Sequence, residues 1–151
     1  MLYPSQLKEN EYVCLFMVKT DKEGNTACNE DGSEIKFHKY VKNYEQYEEY
    51  IGKYKYNYHI YTALATVKFD KNKELHRREA NMRQRRVLFI DFDKKDYPNL
   101  HNVQEFTQMV KDKLPNLFLH AIYDSGNGYH FYTIIEPTCK VRELCELNKE
   151  I

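Results

Sequence analysis

Two short segments hold the residues best suited to chemistry. Phe89-Ile90-Asp91-Phe92-Asp93 closes an apolar run that begins at Val87. Asp124-Ser125-Gly126-Asn127-Gly128-Tyr129-His130-Phe131-Tyr132 begins 124 − 93 = 31 positions after Asp93. Side chains alternate faces along a strand, so Asp91 and Asp93 share a face, roughly 6.5–7 Å apart along the chain. Two carboxylates at the end of a buried strand are costly unless a positive group sits between them. A divalent cation is the simplest such group, and hard oxygen donors suit Mg2+ or Mn2+. Taken alone, the pair is as compatible with an ordinary solvated strand end.

The second segment adds a phosphate-binding element. Gly126 and Gly128 allow positive φ and close approach of a ligand. Ser125 offers a hydroxyl, and successive backbone N–H groups in such a bend can form an anion nest. The plain alternative is a hairpin turn, because Asn-Gly is a strong hairpin signal. Strand alternation puts Tyr129 and Phe131 on the packed face and leaves His130 and Tyr132 on the other. From there His130 can donate a hydrogen bond to a phosphate oxygen, more strongly when protonated.

The surrounding charge is uneven. Lys+Arg and Asp+Glu are both 23 in a chain of 151 residues, so the total says nothing about partners. Between residues 71 and 86 stand seven cations (Lys71, Lys73, Arg77, Arg78, Arg83, Arg85, Arg86) and two anions (Glu74, Glu79), a balance of 7 − 2 = +5. A basic stripe beside an acidic pair fits nucleic acid or a triphosphate; the plain alternative is a solvated face. Eight of the 14 tyrosines fall between Tyr40 and Tyr61. They suit a core flank better than a base-stacking platform. Cys14, Cys28, Cys139 and Cys145 have neither C-x-x-C nor zinc-finger spacing and read as reduced thiols of a cytoplasmic protein. The first residues lack the pattern of a signal peptide, and no apolar run has membrane-spanning length.

The elements that must position these residues follow from periodicity. Strands are expected over residues 11–18, 34–41, 57–69, 86–93, 117–123 and 129–135, the last stopped by Glu136-Pro137. Tyr44, Tyr47, Ile51 and Tyr54 mark a helix capped by Asn43 and interrupted only by Gly52; residues 74–83 form a short helix or an ordered loop. Val103, Phe106, Val110 and Leu114 mark a second helix that ends before Pro115. Leu144, Leu147 and Ile151 begin a terminal helix. The expected fold is α+β, a mixed or antiparallel sheet with helices on one face, similar to half of a ferredoxin-like fold. It is expected as one domain, 1–151, with an N-terminal subregion 1–56, a motif-bearing core 57–137 and a terminal helix 138–151.

The two motifs in this order and spacing resemble the archaeo-eukaryotic primase superfamily, especially the primase-polymerase domains of plasmids, phages and mobile elements. That family carries an apolar strand ending in Asp-x-Asp and then Ser-Gly-x-Gly-x-His. Tyr58-His59-Ile60-Tyr61 is similar to the strand before the family's basic connector, so the likeness covers roughly residues 55–137. The resemblance implies a ferredoxin- or RRM-like core and metal-dependent, template-directed nucleotidyl transfer. Asp91 and Asp93 would hold two Mg2+ or Mn2+ ions for an in-line displacement. Ser125, Gly126, Gly128 and His130 would hold the triphosphate of a nucleoside triphosphate. Arg78, Arg83, Arg85 and Arg86 would contact triphosphate or the DNA template and primer. A helicase domain or protein is the usual partner. The family's third acidic motif has no aspartate counterpart here after Asp124. The chain is therefore expected to be a fragment or a degenerate relative, weak in metal binding and polymerisation by itself.

Other chemistries fit less well. A haloacid-dehalogenase-like phosphatase has a threonine or valine two residues after its second aspartate, where this chain has Lys94-Lys95 after Asp93. A sugar-nucleotide transferase leaves residues 125–130 unexplained. A P-loop and a relaxase histidine triplet are both missing. The non-enzymatic alternative is a single-stranded nucleic-acid-binding module built from sheet aromatics and the basic stripe.

Overall fold

Period-two alternation and helical stripes produce the elements where they are expected, in a computed structural model that describes residues 7–138 and Glu143. The expected terminal helix lies outside the described residues, Glu143 apart. Chain contacts divide the protein into two compact units, Met1–Gln84 and Arg85–Ile151.

In the first unit, β1 (Tyr12–Lys19) pairs antiparallel with β2 (Lys36–Val41) on one side and β3 (Tyr58–Val67) on the other. α1 (Tyr44–Tyr54) starts at Asn43, whose side chain accepts from the Gln46 N–H. Gln46 reaches back and accepts from the Lys42 N–H at 2.9 Å, so one orphan donor of the first turn and the N–H just before the cap are both satisfied. The helix covers Val13, Leu15, Met17 and Val41 with Tyr47, and Phe37, Tyr50, Ile51, Tyr54 and Tyr58 complete that core. The tyrosine cluster therefore does flank a core, but incompletely: Tyr61 and Tyr40 alternate to the sheet face opposite α1.

The second unit is a β-α-β-β run whose last strand inserts between the first two. β4 (Met82–Asp93), whose first residues close the first unit, pairs antiparallel with β6 (Gly128–Thr138). β6 pairs antiparallel with β5 (Ala121–Asp124). α2 (Val103–Lys113) repeats the capping scheme: Asn102 accepts from the Glu105 N–H, and Glu105 accepts from the His101 N–H. Phe106 and Val110 bury against Ile90, Phe92, Tyr129 and Phe131, so α2 covers one face of this sheet. The aromatic rings there meet mostly edge to face, as Phe92 does with Phe131 and Tyr97.

Several boundaries differ from the sequence reading. β4 begins four residues early, at Met82, so Arg83, Arg85 and Arg86 lie on a strand rather than in a connector. The connector itself holds one short 3-10 turn, Glu79–Asn81. β5 is only four residues long, each of them in the exposed range, not an apolar strand from Leu117. The preceding residues are tied to β6 individually: the Thr133 hydroxyl donates to the Phe118 carbonyl, and the Ile134 N–H donates to His120 Nδ1. Nor does Glu136-Pro137 stop β6, which runs to Thr138.

Candidate active-site face of the second unit

β4 alternates cleanly at its end. Ile90 and Phe92 are buried under α2, while Asp91 and Asp93 project to the opposite face. Their side chains are 57% and 46% exposed. That corrects the premise of a carboxylate pair stranded on a buried strand: water solvates both, and no cation is needed to offset burial. Each acid already has a partner. Lys95 Nζ lies 2.8 Å from Asp93 Oδ2. His130 Nε2 lies 3.3 Å from Asp91 Oδ1.

The His130 contact follows from strand register. Asp91 stands directly opposite His130 across β4 and β6, and His130 stands directly opposite Tyr123 across β6 and β5. Side chains so placed meet on one face. The row behind it is Phe89 and Tyr132, also directly opposite one another. Phe89 meets the His130 ring at 5.2 Å, Tyr123 at 5.9 Å and Tyr132 at 6.5 Å. His130 is thus held on three sides by aromatic rings and on the fourth by a carboxylate. Burial pushes the Tyr132 phenol up, and the Asp91 and Tyr123 charges push the same way, so Tyr132 stays a neutral hydroxyl beside the acids.

The bend between β5 and β6 sits at the end of the same strands. Gly126 has φ of +87°, and among the described residues Asn127 has no positive φ. The Ser125 N–H donates to the Gly128 carbonyl. Gly126-Asn127 thus lie at the centre of the bend, with left-handed backbone at Gly126 and not at Asn127. Gly128 is needed for a different reason from the one expected. Its φ is not positive; a Cβ there would clash with the Phe92 carbonyl oxygen.

The bend is also less open to an anion than a nest requires. The Gly126 N–H donates to Asp124 Oδ1 at 2.8 Å, and the Ser125 hydroxyl donates to the Gly128 carbonyl at 3.1 Å. Lys94 gathers the bend together. Its Nζ lies 3.1 Å from Asp124 Oδ1 and 3.1 Å from the Gly126 carbonyl, and 4.6 Å above the Tyr129 ring. The Gly126 N–H and then Lys94 hold the Asp124 carboxyl below the usual carboxylate range, and the Asp124 bond holds Lys94 above the usual lysine range. Lys94 and Lys95 went unassigned by the sequence reading. The signal was two lysines directly after the acids, each now paired with a carboxylate.

The arginines separate. Arg78 and Arg83 are exposed and Arg86 is half-buried. Arg85 is only 5% exposed, with Nε donating to the Val87 carbonyl at 2.7 Å. A guanidinium so enclosed cannot reach a phosphate backbone, which removes Arg85 from any nucleic-acid surface. Glu136 falls on the His130 face by alternation, but six residues along β6 places it about 20 Å away. It supplies no third ligand beside Asp91 and Asp93.

No family model, curated protein or solved structure matches this chain. The site must therefore be judged on its chemistry. Two exposed carboxylates on one strand face suit an ion that keeps several waters and takes its other ligands from substrate phosphates, as Mg2+ does. The exposed Lys95–Asp93 contact that such an ion would displace is weakly held.

Proposed function

We propose that the protein carries out metal-dependent nucleotidyl transfer on a nucleic-acid primer, as a primase-polymerase does. The observation that supports this reading most is the cross-strand placement of His130 opposite Asp91, with Asp93 on the same face and the glycine bend next to it. The β-α-β-β order of the second unit is compatible with a ferredoxin-like core of the kind the resemblance implies. Asp91 and Asp93 would hold Mg2+ or Mn2+. The ion supplies charge neutralisation at phosphate oxygens.

The chain's own residues have separate tasks. His130, kept in orientation by Phe89, Tyr123 and Tyr132, donates to a phosphate oxygen of a nucleoside triphosphate. Lys94 fixes the bend that brings Gly126 and Gly128 beside that oxygen. Lys95, paired with Asp93 in the structure, would release that carboxylate where an ion is held. Arg78 and Arg83 take up the DNA backbone.

The test is incorporation of labelled nucleotide on a primed template, with Mn2+ titration followed by NMR. Wild-type protein should extend the primer slowly, for want of a third acidic ligand, and Mn2+ at high concentration should broaden the amides of Asp91 and Asp93 first. The Asp91→Ala, Asp93→Ala double variant should lose both effects while still binding DNA. Unchanged synthesis in that variant would defeat the assignment.

A further inference from the structure

The first unit carries a second set of aromatics that its core does not use. On the face of the sheet opposite α1, His38 of β2, Phe16 of β1 and Tyr61 of β3 stand directly opposite one another in register. They form an unbroken row across all three strands. Ring centroids are 5.0 Å apart for Phe16 and His38 and 6.1 Å apart for Phe16 and Tyr61. Tyr40 extends the set along β2, stacked on His38 at 6.4 Å.

Two features distinguish this row from packed core. The first is ring orientation. On the α1 face of the same strands, Phe37, Tyr54 and Tyr58 interlock at interplanar angles of 68°, 72° and 87°, although pairs along α1 itself lie at 20° and 39°. In the row the angles are 31°, 35° and 24°. Planes inclined this little, two tilted and one stacked, leave ring faces that another flat ring extends by offset stacking. The second is exposure: Tyr61 is 55% exposed and His38 is exposed too.

The rim is positive. Lys36 follows His38 by alternation on the same face, although Glu34 shares its charge. Exposed Arg77 bears electrostatically on His38, Cys14 and Tyr40, and its backbone N–H donates to the Tyr40 hydroxyl. A strip of shallowly inclined rings with cations at its border matches one chemistry above others: planar bases joined by phosphates.

We propose that the His38–Phe16–Tyr61 row is a stacking platform for single-stranded nucleic acid, with Arg77 contacting its phosphates. The inference rests on the preceding reading only for its choice of a nucleic-acid partner. It places no residue in the Asp91–His130 face.

Fluorescence anisotropy with a short labelled oligothymidylate, in chelator, tests it. The His38→Ala, Tyr61→Ala variant should bind about 5- to 100-fold more weakly while keeping its circular dichroism spectrum. Tyr61→Phe should restore affinity, because stacking needs the ring and not the hydroxyl. An abasic oligomer of equal charge should bind wild type as weakly as oligothymidylate binds the double variant. Equal affinity of the His38→Ala, Tyr61→Ala variant and wild type would overturn the proposal. So would equal affinity of wild type for the abasic and thymidylate oligomers. Absent nucleotide incorporation with stacking-dependent binding intact would instead defeat only the catalytic reading.

Discussion

His130 shows how much a single position depends on its neighbours. On an open sheet face an imidazole is free to turn, yet here Phe89, Tyr123 and Tyr132 surround it and Asp91 takes its Nε2. If it serves a triphosphate, its removal should act on nucleotide more than on template. His130→Ala is expected to raise the KM for nucleotide about tenfold, the loss of one charge-assisted hydrogen bond. Template affinity should change by less than twofold. Equal weakening of both, measured by steady-state kinetics and anisotropy, would indicate a folding role. The residue types and their faces were legible from alternation alone. What alternation could not give was exposure: nothing in the sequence around Asp91 and Asp93 tells that the strand end is open to water.

At the scale of elements, the bend between β5 and β6 is the most constrained piece of the second unit. Gly126→Ala places a side chain at φ +87°, a strain of about 1–3 kcal/mol. Gly128→Ala drives a Cβ against the Phe92 carbonyl, where backbone and not a flexible side chain must yield. We expect it to cost at least as much, about 2–3 kcal/mol, and to disturb Asp93 pairing as well. Urea denaturation of the two variants checks the order, and a silent Gly128→Ala would contradict the close approach. The bend is also sensitive to acid. A carboxyl held low when folded stabilises the fold in full above the usual carboxylate range, and that contribution fades as pH falls through the lowered value. The partner Lys94, held high, loses its part only as pH rises past the usual lysine range. The Gly126 amide should thus exchange slowly, relative to intrinsic rates, across the neutral range and lose protection in acid. Constant protection down to the lowest pH at which the protein stays folded would show that Asp124 does not hold the bend. Asn-Gly marked the bend but not which residue turns left-handed, because that depends on how β5 and β6 pair as well as on the dipeptide.

The two units repeat one plan in the whole molecule. Each has a sheet with a helix on one face, an Asn cap answered by Gln46 or Glu105, and a histidine among aromatics on the other face. This plan explains why so much was readable. Helices α1 and α2 declared themselves through stripes and caps, and the strands through alternation. Arg85 and residues 117–120, which precede β5, were misread because their environment is set by partners distant in sequence. Charge totals, equal at 23 and 23, were uninformative for the same reason: function lies in how charges are placed.

The brevity of β5 has a consequence for how the protein behaves in crowded solution. Its Ala121–Asp124 segment ends the second unit's sheet and leaves its outer margin without a strand partner among the described residues. A long, greasy margin would invite strangers to zip on and seed fibres. Four residues, finishing in an aspartate already clasped by a lysine, offer too little length for that.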